Sequence, residues 1–135
     1  MSSKPETTYY LAVNKLLPKS LHKEKIHNPY RGGTADFWYS GNLDDLWVEY
    51  KYIAKLPKRD DSPCKLDLSQ LQLQWLRGRH DEGRNVVVIL GTPLGSWVYT
   101  GLEWETKLVT RPDIIQTGLT KQNVANYIRR RTMIT

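Results

Sequence analysis

Three ionisable residues, Asp36, Glu49 and Lys51, lie inside segments whose composition otherwise reads as β-strand. Strand interiors deplete Asp, Glu and Lys, because charge beside packed aromatics is costly to desolvate. In "LWVEYKYI", residues 46–53, strand alternation puts Glu49 and Lys51 on one face with Trp47 and Ile53. Leu46, Val48, Tyr50 and Tyr52 take the other face. The preceding run "TADFWYS" joins this segment through "GNLDD", a hairpin-like connection. A turn centred between Asn42 and Leu43 opposes residues whose numbers sum to 85, so Asp36 faces Glu49. The β-carbons of such a pair lie about 4.5–5.5 Å apart, where like charges repel. Two carboxylates aimed at one point predict a cation between them. Mg²⁺ suits that place, since it takes hard oxygens from one or two carboxylates, water and phosphate. A main-chain carbonyl such as that of Tyr50 supplies a further oxygen, and Mn²⁺ is the alternative ion. Lys51 beside the metal would orient a water, help lower its pKa, or offset charge on a pentavalent phosphate. The set suits phosphodiester hydrolysis. The competing reading is a surface hairpin with a Glu49–Lys51 ion pair and a solvated Asp36.

Two other short matches in the chain lack this context. Glu105-Thr106-Lys107 repeats the Glu-x-Lys spacing, but no aspartate lies between Asp81 and Asp113 to oppose it. Pro112-Asp113 is followed by no acidic residue.

The elements that must position the three residues follow from periodicity. "TTYYLAVNKLLP" places Tyr9 or Tyr10, Val13, Leu16 and Leu17 at helical spacing, with Thr7 or Thr8 as cap and Pro18 as stop. A short strand is expected around Ile26, ahead of the hairpin. "LDLSQLQLQWLRGRH" predicts a helix capped by Asp67 or Ser69. "NVVVILG" reads as a strand buried on both faces, and "GSWVYTG" as a further short strand between two glycines. "LTKQNVANYIRRR" predicts a basic C-terminal helix over about 119–131, capped by Thr120. This order is an α/β fold with a mixed sheet flanked by helices.

The length of 135 residues suits one domain, 1–135, with a moderate core. Twenty Lys and Arg against 14 Asp and Glu give a net charge of +6, which favours a polyanionic partner. Cys64 is the single cysteine, so neither an intrachain disulfide nor a cysteine-based zinc site can form. No apolar run approaches the roughly 20 residues of a membrane span. "MSSKPETTYY" lacks the apolar stretch of a signal peptide, and a reducing cytoplasm is expected.

"GGTADFWYSG…LWVEYKY", followed by "LSQLQLQWL" and "NVVVILG", resembles the PD-(D/E)XK nuclease superfamily. The match spans about Asn28 to Tyr99 and is nearest to small phage-type members related to virus-type replication–repair nucleases. It implies a restriction-endonuclease-like core in α-β-β-β-α-β order, and a Mg²⁺-dependent DNA endonuclease of homing, junction-resolving or nicking type. Asp36 and Glu49 would be metal ligands and Lys51 the catalytic lysine, with Gly33 matching the glycine that often precedes the first acid. Alanine at position 35 departs from the usual proline, which shapes the strand entry and is no ligand. The alternative is a non-catalytic nucleic-acid-binding module on the same fold.

Members of this group often carry a glutamine on the helix after the Glu-x-Lys strand. At about 100° per residue, Leu68, Leu71, Trp75 and Leu76 define the apolar stripe and Gln72 falls inside it. Gln70 and Gln74 fall opposite, with Arg77. Gln72 therefore joins the catalytic set, unless it only bonds local backbone. Lys55, Lys58 and Arg59 beyond the active strand would contact phosphates, as would Lys19, Lys23, Lys25 and Arg31 before it and Arg129, Arg130 and Arg131 at the end. His22, His27 and His80 lack metal-site spacing, and only His27 is near enough in sequence to count as a weak candidate. Cutting both strands at one place implies a homodimer or larger symmetric assembly, acting in the host cytoplasm if the chain is virus-encoded.

Overall fold

Val86–Thr92 forms a strand, β4, in which every residue is buried, as a continuous β-branched run requires. Around it a computed structural model, describing residues 3–27 and 32–134, builds a five-stranded sheet. The other strands are β1 (His22–Lys25), β2 (Phe37–Ser40), β3 (Asp45–Tyr52) and β5 (Gly95–Tyr99). They lie in the order β1-β2-β3-β4-β5. β3 and β4 are parallel and the remaining pairs antiparallel. The parallel pair needs a crossover, and helix α2 (Gln70–Asp81) lies within it.

Helices α1 (Lys4–Lys15) and α5 (Lys121–Thr132) pack on one face over Phe37, Tyr39, Leu46, Val48, Tyr50, Val87 and Ile89. Three phenols buried here are hydrogen-bonded. Tyr39 Oη lies 2.8 Å from Tyr50 Oη and donates to Asn14 Oδ1 at 3.0 Å, while Tyr9 Oη lies 2.6 Å from Ser96 Oγ. The other face holds α2, α3 (Glu103–Thr106) and α4 (Arg111–Thr117) over Val86, Val88 and Leu90.

Several boundaries differ from the sequence reading. α1 starts at Lys4, not after Thr7, because Ser3 Oγ accepts from the Glu6 N–H and Pro5 sits in the first turn. That extra turn brings in Glu6. β1 ends just before Ile26, and β2 begins at Phe37, so Asp36 precedes the strand. α3 and α4 were not anticipated. Both are short, and α4 is started by a capping box between Thr110 and Asp113, which accounts for the Pro112-Asp113 pair. Among the α2 leucines, Leu71 is 55% exposed and Leu73 packs inward in its place.

Candidate active site

The hairpin register is the predicted one. Phe37 opposes Val48 and Trp38 opposes Trp47, so the next step outward on the same face sets Asp36 against Glu49. Asp36 lies beyond the last ladder pair and its side chain replaces the missing strand contact. Its Oδ2 accepts from the Tyr50 N–H at 3.1 Å, and its own carbonyl accepts from Ile26 N–H at 2.7 Å. Odd residues of β3 bond to β4, as Trp47 N–H to Asn85 O and Ile53 N–H to Gly91 O demonstrate. Tyr50 therefore directs both its N–H and its carbonyl toward the β2 side, where Asp36 lies.

Glu49 is only 2% exposed. Its Oε2 accepts from Gln72 Nε2 at 3.1 Å and lies 3.8 Å from Lys51 Nζ. Its Oε1 is buried with no hydrogen-bond partner among the described residues. Burial drives the Glu49 pKa well above the ordinary carboxyl value, the Asp36 carboxylate raises it further, and Lys51 opposes both. Without a cation, Glu49 holds its proton strongly.

Gln72 performs two tasks with one amide. Its Oε1 accepts from the Ser69 N–H at 2.9 Å, while Ser69 Oγ accepts from the Gln72 N–H at 3.1 Å, closing a capping box at the start of α2. Since Ser69 presents a donor, the amide oxygen must face it, and the NH₂ is left for Glu49. Local backbone bonding and contact with the acid are thus both present. Gln70 and Gln74 border a different groove, with Leu66, Leu68 and Trp104.

Two more residues join the cluster. Lys25 Nζ lies 3.6 Å from Asp36 Oδ1, balancing Lys51 on the far side. Glu6 is perturbed by the same charges. Its pKa is raised to about 6, first by burial and then by Asp36, against Lys51 and Lys25. Ser3-x-x-Glu6 with Pro5 is a helix-start signal that puts Glu6 in the first turn of α1, but only the packing of α1 brings it to the acids.

Gly33 fixes the loop before Asp36 against α2. It has φ +95°, and a β-carbon there would lie 2.3 Å from the Leu71 carbonyl oxygen. Only glycine permits that approach.

The basic residues are scattered. Lys55, Lys58 and Arg59 lie exposed beyond β3. Arg59 holds Asp61 through two bonds of 3.0 and 3.1 Å, and the Lys58 carbonyl accepts from Arg111. Arg129 and Arg130 end α5 beside the hairpin turn, where Leu43 N–H donates to Thr132 O at 2.9 Å. That is the opposite end of β3 from Lys51. Arg131 bonds Tyr127 Oη and Asn85 Oδ1. Arg31 lies outside the described residues. His22 bonds Glu24 at 3.1 Å, and Glu105 is paired with Arg77.

Among the described residues no three His, Cys, Asp or Glu side chains converge as a metal cluster. The donor set at this site is instead two carboxylates, one with an unpartnered buried oxygen, beside a main-chain carbonyl. Such a set fits a hard divalent ion that completes its shell with water or phosphate oxygens.

No family model matches the chain, and no curated protein matches it. Among solved structures it is similar to Hjc, a Holliday junction resolvase from the archaeal hyperthermophile Archaeoglobus fulgidus. The TM-score is 0.53 at 15% identity, covering 93% of this chain and 99% of that one. The likeness is one of fold: a mixed five-stranded sheet flanked by helices, of restriction-endonuclease-like type. No helix among the described residues is long and apolar enough to cross a membrane.

Proposed function

We propose that the chain is a divalent-metal-dependent DNA endonuclease of PD-(D/E)XK type, with its active site at Asp36, Glu49, Lys51 and Gln72. One observation carries this reading: the buried Glu49 carboxyl faces Asp36 with one oxygen unpartnered, while Gln72 and Lys51 attend the other. A structural ion pair has no use for an opposed carboxylate or an orphaned oxygen. Asp36, Glu49 and the Tyr50 carbonyl would hold Mg²⁺ or Mn²⁺. Bound there, the ion would supply Lewis acidity at a phosphate oxygen and a lower pKa for water.

The chain's own groups have separable roles. Gln72 fixes the Glu49 rotamer and favours its ionised form. Lys51, on the same strand face, offers its ammonium to charge developing on a phosphate. Lys25 restrains Asp36. Glu6, its pKa raised to about 6, adds a proton acceptor beside the acids. Lys55, Lys58 and Arg59 would contact backbone phosphates flanking the cut, and Arg129 and Arg130 a more distant part of the nucleic acid.

The similarity of fold to a Holliday junction resolvase puts four-way DNA first among substrates, ahead of homing-type or nicking action. Symmetric cleavage would require two copies, hence a homodimer. Membership of the virus-type replication–repair subgroup, a phage source and a cytoplasmic setting rest on motif order and composition. The test is cleavage of four-way, flapped, nicked and uniform duplex DNA with Mg²⁺ and with EDTA. Metal-dependent cutting lost in Glu49→Gln supports the reading. DNA binding with no cutting under any metal would leave the non-catalytic binding module.

A further inference from the structure

The face of the sheet that carries Asp36, Glu49 and Lys51 continues into an aromatic surface. Trp38 and Trp47, one step along the hairpin, stack with centroids 5.9 Å apart and planes at 19°. Trp47 meets Trp75 of α2 edge-on at 5.5 Å, and His22 meets Trp38 at 5.0 Å on the other side. These tryptophans are only partly buried. A cavity of about 480 Å³ opens there, lined by Thr34, Trp47, Trp75, Arg79, Arg84 and Asn85.

Its place relative to the acids is fixed by covalent geometry. Trp47 is two residues from Glu49 on the same face, a separation of about 6.8 Å. Thr34 is two residues from Asp36. Lys51 is four residues from Trp47 on that face, about 13.6 Å or about four base rises of 3.4 Å, so a strand with its phosphate at Lys51 brings a base a few nucleotides away to the cavity. The volume falls within the roughly 300–1,000 Å³ range of small-molecule sites. The chemistry suits a nucleobase. Indole faces stack on any base. Asp44 and Asp45 also line the cavity and can accept from exocyclic amines, while Arg79 and the exposed Arg84 lie on the outer side. Arg79 is at present ion-paired with Glu82. A stacked base inside a duplex shows no face to such a pocket.

We propose that this cavity receives one unpaired or extruded nucleobase a few nucleotides from the scissile phosphate, on the hairpin-turn side, so that cleavage favours DNA with an unpaired nucleotide near the cut over uniform duplex. The proposal rests on the nuclease reading for the word "scissile" alone; base capture can be measured without cleavage.

The experiment uses the full chain and DNA carrying 2-aminopurine, either unpaired beside a branch or paired within duplex. Ca²⁺ replaces Mg²⁺ for binding. Cleavage of the same DNAs is then timed in Mg²⁺. Stacking should quench 2-aminopurine only at the unpaired position. Trp75→Leu should lose the quench, weaken binding of that DNA about tenfold, and lower the unpaired-to-duplex cleavage ratio by a similar factor. Trp75→Phe should restore most of each effect, and circular dichroism checks that both variants fold. Unchanged quench and ratio in a folded Trp75→Leu would overturn the proposal. So would sedimentation showing that Trp75→Leu splits a dimer while the wild type never quenches, since the face is then a contact between copies. Quench without cleavage by the wild type would refute the nuclease reading and uphold the pocket.

Discussion

Gln72 Nε2 donates to Glu49 Oε2 across 3.1 Å, from a helix that starts 18 residues after β3 ends. The contact favours the ionised carboxylate, against the burial that opposes it. Gln72→Ala should therefore slow cleavage about tenfold or more at neutral pH and shift the pH–rate profile to higher pH. It should also cost about 1 kcal/mol of stability through the lost capping box. Gln70→Ala and Gln74→Ala touch neither group. Pre-steady-state rates over a pH series compare the three, and equal small effects would remove Gln72 from the site.

Glu49 gives stability a definite sign with pH. Its folded pKa is raised, so the folded state binds the proton more tightly than the unfolded chain. Stability of the metal-free protein should fall as pH rises above 4.5 toward the raised value, and Glu6, at about 6, adds in the same direction. Glu49→Gln should flatten that decline and be as stable as wild type or more so at pH 7, while abolishing cleavage. Urea denaturation at several pH values reads both. Asp36→Asn keeps an acceptor for the Tyr50 N–H and is the better partner variant; a collapse of both would make the acids structural.

Divalent metal should reverse the trend. Binding ionises Glu49, so Mg²⁺ or Mn²⁺ affinity should tighten with pH and protons should be released. Calorimetry in two buffers of different ionisation enthalpy measures that release. At 100 times the dissociation constant the ion should stabilise the fold by about 2.7 kcal/mol, and EDTA should remove the gain. Equal binding by Glu49→Gln would place the metal elsewhere.

Lys51→Ala should keep DNA and metal binding but slow the chemical step on the order of 10²–10³-fold. Lys58→Ala and Arg59→Ala should instead weaken binding and lower its salt slope by about 0.9 per lost phosphate contact. The exposed Arg59–Asp61 pair holds Arg59 only weakly, which leaves it able to turn to a phosphate. Should Lys51→Ala raise only the apparent dissociation constant in single-turnover assays, it is a phosphate anchor.

Gly33→Ala tests how the first acid is aimed. The added methyl would press on the Leu71 carbonyl at a φ that L-residues avoid, costing at least about 1–2 kcal/mol. Activity should fall with stability, because the Asp36 loop and the first turn of α2 separate together. Gly83→Ala, also at positive φ but with nothing within 4 Å, is the control for backbone strain alone.

The hairpin was legible because period-2 patterning and a short turn leave one register in which the aromatics face inward, and that register sets Asp36 against Glu49. Helical phase turns Gln72 toward Glu49, as the structure has it, yet the same phase points Leu71 to the core and Leu71 is exposed. Phase gives a direction, not the distance to a packing partner. Glu6 was not legible as a site residue, and Lys25 was legible only as a phosphate contact, not as the partner of Asp36. Each reaches the cluster only through tertiary placement of α1 and β1, and no periodicity encodes that. The placement of Arg129 and Arg130 follows from where α5 ends against the hairpin turn.

Glu49 pairs across β3 and β4 with Val88, 39 positions later, and Gln72 lies between them in the chain. During synthesis the strand bearing Glu49 and Lys51 emerges before the helix and the strand that enclose it. At roughly 5–20 residues per second that interval lasts about 2–8 s. Through it the hairpin can close, since its contacts are local, but the carboxyl of Glu49 stays wet and ordinary in its acidity. The nascent chain thus holds the reactive residues without their environment. The buried environment of Glu49 forms only once α2 and β4 have been made and have closed over β3, a delay built into the order of the chain.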